Sequence, residues 1–183
     1  MNRTEVRLSG FGGQGIILAG LIVGKAASIF DGKNATFTQA YGPEARGGYC
    51  SAQVVITEEA GAYPYVNDPS VVVAMSQEAY TKYAAGAGEN VQVIIDEGLV
   101  KPNEEQKGRI LTVPATQIAQ ELGRSAVANI VMLGFLAAVT DLASVEAIKK
   151  SVLDSVPKGT EELNTNAFDR GYECGKEKIG TGA

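Results

Sequence analysis

Six residues near the amino terminus have the types and the spacing of a loop that binds phosphate groups. Residues 10–15 read Gly-Phe-Gly-Gly-Gln-Gly, which matches the G-x-G-x-x-G pattern. An alternating segment precedes them and an apolar run follows, so the pattern lies between a predicted strand and a predicted helix. The glycines would let backbone N–H groups approach a pyrophosphate, and the helix N-terminus would add partial positive charge. The alternative is a tight turn that binds no ligand.

The features that would complete a known nucleotide site around this loop are missing. No Gly-Lys-Ser/Thr follows, as a Walker loop requires. A nicotinamide site needs an acid at the end of the second strand, but residues 36–40 contain none and Asp31 comes before that strand. We therefore interpret residues 10–15 as an anion cradle without the rest of a nicotinamide site.

A second glycine-rich loop follows the second predicted strand. Residues 41–48 read Tyr-Gly-Pro-Glu-Ala-Arg-Gly-Gly, and the proline and three glycines exclude regular structure there. The planar guanidinium of Arg46 suits a phosphate or a carboxylate, although Arg46 would equally pair with Glu44 or donate to loop carbonyls. Because functional loops gather at one edge of an open α/β sheet, we expect this loop beside the first. The candidate binding residues are Gly10, Gly12, Gly13, Gln14, Gly15, Tyr41, Glu44 and Arg46.

Other reactive side chains have two interpretations each, and none is assigned a catalytic role. Glu78, Asp96 and Glu97 follow predicted strands, where they would line a cleft, but an acid such as Glu78 also suits a helix N-terminus. Cys50 has no histidine to activate it, which favours a buried, inert thiol. Four tyrosines would form either an aromatic contact surface or part of the core. They are Tyr63, Tyr65, Tyr80 and Tyr83.

The composition restricts the chemistry further. The 183 residues include no histidine and only two cysteines, Cys50 and Cys174. Histidine-based triads and metal sites are thereby excluded, and the chain alone builds neither an iron–sulfur cluster nor a thiol redox pair. The formal net charge of −5 provides no basic field for nucleic acid. We expect a cytoplasmic protein that does not enter the membrane, because no segment is typical of a signal peptide or a membrane span.

The order of the predicted elements indicates an α/β, Rossmann-like fold in a single domain over residues 1–183. We expect a mostly parallel sheet that begins with a β-α-β unit, helices on both faces, a helical C-terminal third, and a flexible tail at residues 180–183. Strands are predicted at residues 6–9, 35–38, 51–57, 71–75, 91–95 and 109–113, and helices at residues 16–29, 77–85, 116–122, 128–142, 145–156 and 161–174.

One predicted helix is apolar on nearly every side. Residues 129–139 read Asn-Ile-Val-Met-Leu-Gly-Phe-Leu-Ala-Ala-Val. Such a helix lies either in the centre of a domain or against another chain, and the small residues Gly134 and Ala138, one turn apart, would let a second backbone come close. Both interpretations are open at this level.

The motifs together resemble the gamma subunit of the 2-oxoacid:ferredoxin oxidoreductases, and the similarity extends over nearly the whole chain. The form of the second loop is most similar to the 2-oxoglutarate branch of that family. The segments that carry the resemblance are residues 10–15, residues 38–48 (Thr-Gln-Ala-Tyr-Gly-Pro-Glu-Ala-Arg-Gly-Gly), residues 75–80 (Met-Ser-Gln-Glu-Ala-Tyr), residues 129–134, residues 164–168 (Asn-Thr-Asn-Ala-Phe), Gly171 and Tyr172.

The resemblance implies an enzyme that decarboxylates a 2-oxoacid on thiamine diphosphate, reduces ferredoxin through iron–sulfur clusters and transfers the acyl group to coenzyme A. This chain has no Gly-Asp-Gly thiamine motif and no set of cluster cysteines. Thiamine diphosphate and the clusters are therefore expected on companion alpha, beta and delta-type subunits, and the chain is expected to be inactive alone. Its expected role is to help form the coenzyme A and substrate site at a subunit interface, with residues 10–15 and Arg46 near the coenzyme A pyrophosphate.

Two other functions fit the glycine motif taken by itself. A freestanding dinucleotide- or flavin-binding reductase would carry such a loop, and a bound flavin would show in the visible spectrum. A regulatory nucleotide-binding domain would bind its nucleotide tightly without partners. The missing histidines and cofactor motifs favour the subunit over both.

Overall fold

The protein is built on one six-stranded sheet. The computed structural model describes residues 3–43, 47–59, 63–106 and 110–180. The strands lie in the order β2-β3-β1-β4-β5-β6. In chain order they are β1 (Arg3–Phe11), β2 (Asn34–Tyr41), β3 (Tyr49–Thr57), β4 (Val71–Ala74), β5 (Gln92–Asp96) and β6 (Leu111–Val113).

Only one strand of the sheet runs against the others. β1, β4, β5 and β6 are parallel, whereas β3 is antiparallel to both of its neighbours, β1 and β2. The expectation of a mostly parallel sheet is confirmed. The opening β-α-β unit differs in one respect, because β3 separates β2 from β1 instead of leaving them adjacent.

Six α-helices cover the two faces of the sheet unequally. α2 packs on one face through Ala79 and Tyr80. The other five helices contribute to the larger core on the opposite face, which confirms helices on both faces and a helical C-terminal third. The helices are α1 (Ile16–Lys25), α2 (Gln77–Tyr83), α3 (Ala115–Glu121), α4 (Ala128–Val139), α5 (Val145–Leu153) and α6 (Glu161–Gly180).

β4 shows why its sequence is a continuous apolar run. Val71 and Val73 face the larger core, whereas Val72 and Ala74 face the smaller one under α2. Successive side chains of a strand point to opposite faces, so a strand covered on both faces is apolar at every position.

The apolar helix α4 is a central element that packs against α6 of the same chain. A Cβ added to Gly171 of α6 would overlap the carbonyl of Val131, and one added to Gly134 of α4 would overlap the carbonyl of Phe168. The close backbone approach predicted at Gly134 therefore occurs, with α6 as the partner. Among the two interpretations of residues 129–139, burial in the centre of the fold is confirmed.

Several elements end at other residues than the sequence predicts. β2 extends to Tyr41, so the second loop begins one residue later. α1 ends at Lys25 and continues as a π-helical turn, Ala26–Phe30, while α4 stops at Val139 because Thr140 has extended backbone angles. α6 continues to Gly180, and the remainder of the tail predicted at residues 180–183 lies outside the described residues.

A loop at residues 63–69 lies across the sheet, held by polar side chains of β1. The guanidinium of Arg3 donates to the carbonyls of Tyr63 and Tyr65 at 3.0 and 3.1 Å. The buried Glu5 carboxylate accepts from the amide of Asn67 at 2.6 Å. These charged residues of a strand therefore stabilise a neighbouring loop.

No helix in the described part of the chain has the length and apolar character that a membrane crossing needs.

Candidate functional site

The first glycine motif forms a tight turn at the carboxyl end of β1, where α1 begins. Gly15 is the N-cap residue of α1 with φ 72°, and Gly13 has φ 96°. Both angles lie in the left-handed region, which glycine adopts without strain. The predicted strand, turn and helix are confirmed, and this turn lies at the sheet edge where open α/β sheets bind their ligands.

The Gln14 side chain forms two hydrogen bonds that stabilise the turn. Its side-chain Oε1 accepts from the amide of Phe11 and its Nε2 donates to the carbonyl of Met75, each at 2.7 Å. A Cβ on Gly10 would collide with that Gln14 oxygen. Gly10 and the Gln14 side chain therefore shape the turn and connect it to the residue after β4.

The second glycine loop lies directly against the first. The amide of Gly12 donates to the carbonyl of Gly48 at 2.8 Å, and a Cβ on Gly12 would lie 3.3 Å from the amide nitrogen of Gly47. The expectation that the two loops meet at one edge is confirmed for these residues. Glu44 and Arg46 lie outside the described residues.

Part of the backbone of the first turn is available to a ligand. The amides of Gly13 and Gly15 donate no hydrogen bond within the part of the chain that the structure describes. The first-turn amides of α1, which start at Ile16, have no acceptor inside the helix. A Cβ placed on Gly13 would meet no atom within 4 Å. The turn therefore has N–H groups without a described acceptor, and the binding of an anion by them stays a prediction.

Asn129, near the start of α4, positions this turn. Its side chain is 2% exposed, and its Nδ2 donates to the carbonyl of Gly15 at 3.2 Å. A Cβ on Gly15 would overlap the Asn129 amide. Position 15 therefore requires glycine for two reasons, the left-handed backbone angle and the Asn129 side chain that fills the place of a Cβ. The sequence carries one signal for it, a lone polar residue in an otherwise apolar helix.

A cleft of about 360 Å³ opens beside the glycine turn. Its walls are mostly apolar, and its polar groups come from the turn and from the N-terminal ends of α3 and α4. Its volume would accommodate a group of moderate size next to the amide of Gly13. The residues that line it are Gly13, Gln14, Met75, Leu99, Thr116, Ser125, Ala126 and Ala128.

Large apolar side chains around this edge are exposed. Phe11 is 37%, Leu99 41% and Tyr41 63% exposed. Tyr41, a candidate residue, is the last residue of β2. Exposed apolar groups around a cleft are typical of a surface that another molecule covers.

The acids that follow strands have structural roles. Asp96, completely buried at the end of β5, accepts from the amide and the hydroxyl of Thr116 at 2.9 and 2.6 Å and thereby caps α3. Glu78 lies in the first turn of α2, as the structural interpretation predicts. Asp31 accepts from the amide and the hydroxyl of Ser144 at the start of α5. The cleft contains neither Glu78 nor Asp96.

The other candidate groups are divided by burial. Tyr80 is core, whereas Tyr63 and Tyr65 are exposed. Burial raises the pKa of Cys50, which agrees with an inert thiol, and it also raises that of Cys174. No group of three potential metal ligands occurs among the described residues.

The structure also contains a cluster of aromatic and cationic side chains between β1, β3 and α2, which the sequence did not predict. Arg7 lies 4.5 Å from the ring centre of Tyr83, and Lys82 lies 4.2 Å from that of Tyr49. Burial is the main cause of a raised pKa for the Tyr49 phenol. These residues come from β1, β3 and α2, so no local pattern could group them.

The sequence matches one protein family over most of its length. The family model described as pyruvate ferredoxin/flavodoxin oxidoreductase matches residues 5–174. The chain belongs to this family.

Individual relatives are similar over almost the whole chain. The 2-oxoglutarate synthase subunit KorC of Methanocaldococcus jannaschii is 51% identical over 178 residues, which cover 96% of this chain and 95% of that protein. The KorC of Methanothermobacter marburgensis is 46% identical, with 93% and 96% covered. The crystal structure of a keto/oxoacid ferredoxin oxidoreductase gamma subunit from Geobacter sulfurreducens PCA has 41% identity and a TM-score of 0.79, and covers 94% of this chain and 98% of that chain. The resemblance to gamma subunits, and the expectation of an oxidoreductase subunit, are confirmed.

Proposed function

We propose that this chain is the gamma subunit of a 2-oxoglutarate:ferredoxin oxidoreductase and forms part of its coenzyme A site where it meets a companion subunit. The enzyme would convert a 2-oxoacid, 2-oxoglutarate by preference, to its acyl-CoA while ferredoxin is reduced. The KorC proteins, which are 2-oxoglutarate synthase subunits, support the choice of oxoacid. Alpha, beta and delta-type subunits are the proposed partners, and thiamine diphosphate and the iron–sulfur clusters would belong to them.

The observation that carries the coenzyme A site is the contact between the two glycine loops beside a cleft. The Gly12 amide donates to the carbonyl of Gly48 at 2.8 Å, and the amide of Gly13, which donates to no described acceptor, lies next to about 360 Å³ of open volume. A pyrophosphate needs several aligned N–H donors, and its attached organic groups need an apolar wall. Arg46, in the same loop as Gly48, would add a positive charge.

The exposed rim supports a subunit boundary at this site. Phe11, Tyr41 and Leu99 are large, exposed and close to the turn. A companion subunit that packs on them would close the open side of the cleft and exclude water from it. Side chains that complete the reaction would then come from that subunit, which agrees with the absence of histidine from this chain.

Gly13→Ala tests the site directly, with Gly159→Ala as a matched control. Gly13 and Gly159 have φ 96° and 86°, and a Cβ on either would meet no atom within 4 Å. Both variants therefore carry a similar backbone strain, but only Gly13 lies in the turn. We expect the coenzyme A KM of the assembled enzyme to rise roughly tenfold for Gly13→Ala, equal to about 1.4 kcal/mol, and to be unchanged for Gly159→Ala.

The 2-oxoacid KM and the kcat of the same preparations separate coenzyme A binding from a general defect. Arg46→Ala, measured alongside, should raise the coenzyme A KM as well. Equal KM values for the Gly13 and Gly159 variants would contradict the proposed site. A preference of the assembled enzyme for pyruvate over 2-oxoglutarate would contradict the proposed substrate while leaving the site in place.

A further inference from the structure

One edge of the sheet is an eight-residue strand without a charged residue. β2 pairs with β3 on one side, and no strand of the described chain pairs with its other side. Its sequence is Asn-Ala-Thr-Phe-Thr-Gln-Ala-Tyr. The register with β3 is continuous from Asn34 to Tyr41, so no bulge interrupts it. Charges, prolines and bulges are the devices that protect natural edges from pairing, and β2 has none of them.

The backbone groups that point away from the sheet follow from the β2–β3 pairing. The amide of Gly42 donates to the carbonyl of Tyr49 at 2.7 Å, just beyond the last paired residues. Hydrogen-bonded pairs alternate with non-hydrogen-bonded pairs in an antiparallel ladder. Counting back from Gly42, the N–H and C=O groups of Ala35, Phe37, Gln39 and Tyr41 point outward. This edge therefore presents a full row of donors and acceptors.

Exposed apolar side chains flank the edge on the face covered by α1. A Cβ on Gly20 would lie 3.0 Å from the Phe37 ring, which places α1 over β2. Leu21, the next residue, is 45% exposed. The π-helical turn Ala26–Phe30 also contacts β2, and it carries Ile29, 66% exposed, and Phe30, 37% exposed. Such a patch beside an open strand is typical of a protein interface.

We propose that β2 pairs antiparallel with β2 of a second copy of this chain, about a twofold axis through Phe37. Two six-stranded sheets would then join into one sheet of about twelve strands, by the strand addition seen in other complexes. β3 separates the β2 edge from β1, and the pairing does not rest on the proposed coenzyme A function. Tyr41, at the end of β2, is the one residue named for both surfaces.

The sequence of β2 favours a second copy over another partner. Residues directly opposite each other in an antiparallel pair have their side chains on the same face of the sheet. With a twofold axis perpendicular to the sheet, the two opposed residues must therefore both be odd-numbered or both be even-numbered. An axis at Phe37 satisfies this condition. Phe37 then lies opposite its equivalent, and Thr36 lies opposite the equivalent of Thr38. Both are favourable cross-strand pairs, and no like charges meet. Leu21 and Phe30 of the two copies would approach each other beside the same axis.

The mass of the full chain in solution tests the interface. We expect a dimer of two 19.1 kDa chains. Gln39→Pro removes an outward N–H that β3 does not use and therefore spares the fold. Because the change occurs in both copies, two hydrogen bonds are lost, and the dimer Kd should rise roughly tenfold or more. The melting temperature checks that the variant is folded.

Leu21→Gln and Ile179→Gln form a matched pair, because both remove an exposed apolar side chain and only Leu21 flanks β2. Leu21 is 45% and Ile179 53% exposed. We expect a weaker dimer for Leu21→Gln and an unchanged one for Ile179→Gln. A monomeric parent chain at about 100 μM, or a dimer indifferent to Gln39→Pro, would overturn the proposal.

Disulfide cross-linking tests the register in the chain alone and in the co-expressed complex. Thr36 and the equivalent of Thr38 would form a non-hydrogen-bonded pair, with Cα atoms about 4.5 Å apart, within reach of a disulfide. A mixture of Thr36→Cys and Thr38→Cys chains should give a covalent dimer on mild oxidation, and neither variant alone should. The parent chain is the control for cross-linking through its own two cysteines. Cross-linking of Thr38→Cys alone, or of neither variant in the mixture, contradicts the register proposed.

Discussion

At the scale of single residues, the glycine turn depends on side chains that come from distant parts of the chain. Gln14 bonds the amide of Phe11 and the carbonyl of Met75, and Asn129 bonds the carbonyl of Gly15. These hydrogen bonds hold the turn in one conformation. If the turn binds the proposed anion, such preorganisation would strengthen binding because less conformational entropy is lost.

Asn129→Ala should weaken coenzyme A binding through the turn. The change removes one of the two hydrogen bonds to the Gly15 carbonyl and leaves the other, from the Ala19 amide, in place. We expect a loss of about 1 kcal/mol in the free energy of unfolding and, because the turn is less well held, a rise in the coenzyme A KM. Urea denaturation and steady-state kinetics of the assembled enzyme measure the two quantities.

Asn164→Ala is the control for this variant. Asn164 is also buried, 5% exposed, and its Nδ2 donates to the carbonyl of Thr160 at 2.8 Å, but it lies in α6 away from the turn. We expect a similar loss of stability with an unchanged KM. If both variants change the KM equally, Asn129 acts through overall stability and has no positioning role.

At the scale of elements, α4 and α6 form the closest helix pair of the fold. The three glycines of their interface are Gly134, Gly171 and Gly175, and a Cβ on each would meet atoms of the other helix. Close approach lets the backbones and small side chains make dispersion contacts along the whole crossing. This packing holds the N-terminal end of α4, and with it Asn129, against the glycine turn.

Gly171→Ala should destabilise the protein by about 1–3 kcal/mol, because the added methyl group overlaps the carbonyl of Val131 and forces the helices apart. Gly180→Ala, at the end of the same helix, meets no atom within 4 Å and should be close to neutral. The free energy of unfolding from urea titrations compares them. If Gly171→Ala left the free energy of unfolding unchanged, the helices could move apart without loss of stability, which would contradict the tight packing described.

At the scale of the whole molecule, the proposed function gives this chain a binding role and assigns the reacting groups to companion subunits. The chain has no histidine, and its described residues hold no cluster of metal ligands. Under the proposal it would contribute to catalysis by binding and positioning a substrate at a surface that other subunits complete.

Co-expression of the companion subunits with and without this chain tests whether activity requires both. We expect reduction of a viologen dye that depends on 2-oxoglutarate and coenzyme A only when this chain is present together with its companion subunits. The purified chain alone should be colourless and inactive. Full activity after its omission, or a flavin spectrum in the isolated chain, would favour the freestanding reductase.

Features that depend on neighbouring residues could be predicted from the sequence alone. Apolar runs and glycine spacing predicted the strand, turn and helix around residues 10–15, because the allowed backbone angles and the burial of a short segment follow from its own residue types. Alternation and apolar content likewise predicted the six strands and the helices within a few residues. The family motifs are also local, and they indicated the gamma subunits.

Features that depend on residues far apart in the chain required the three-dimensional structure. The insertion of β3 between β1 and β2 is a matter of strand pairing, which the pattern of a single strand does not encode. The roles of Gln14, Asp96 and Asn129 depend on hydrogen bonds that span up to 114 residues. Whether α4 lay in the centre of the fold or against another chain was likewise decided by packing, because an apolar helix has the same sequence in both settings.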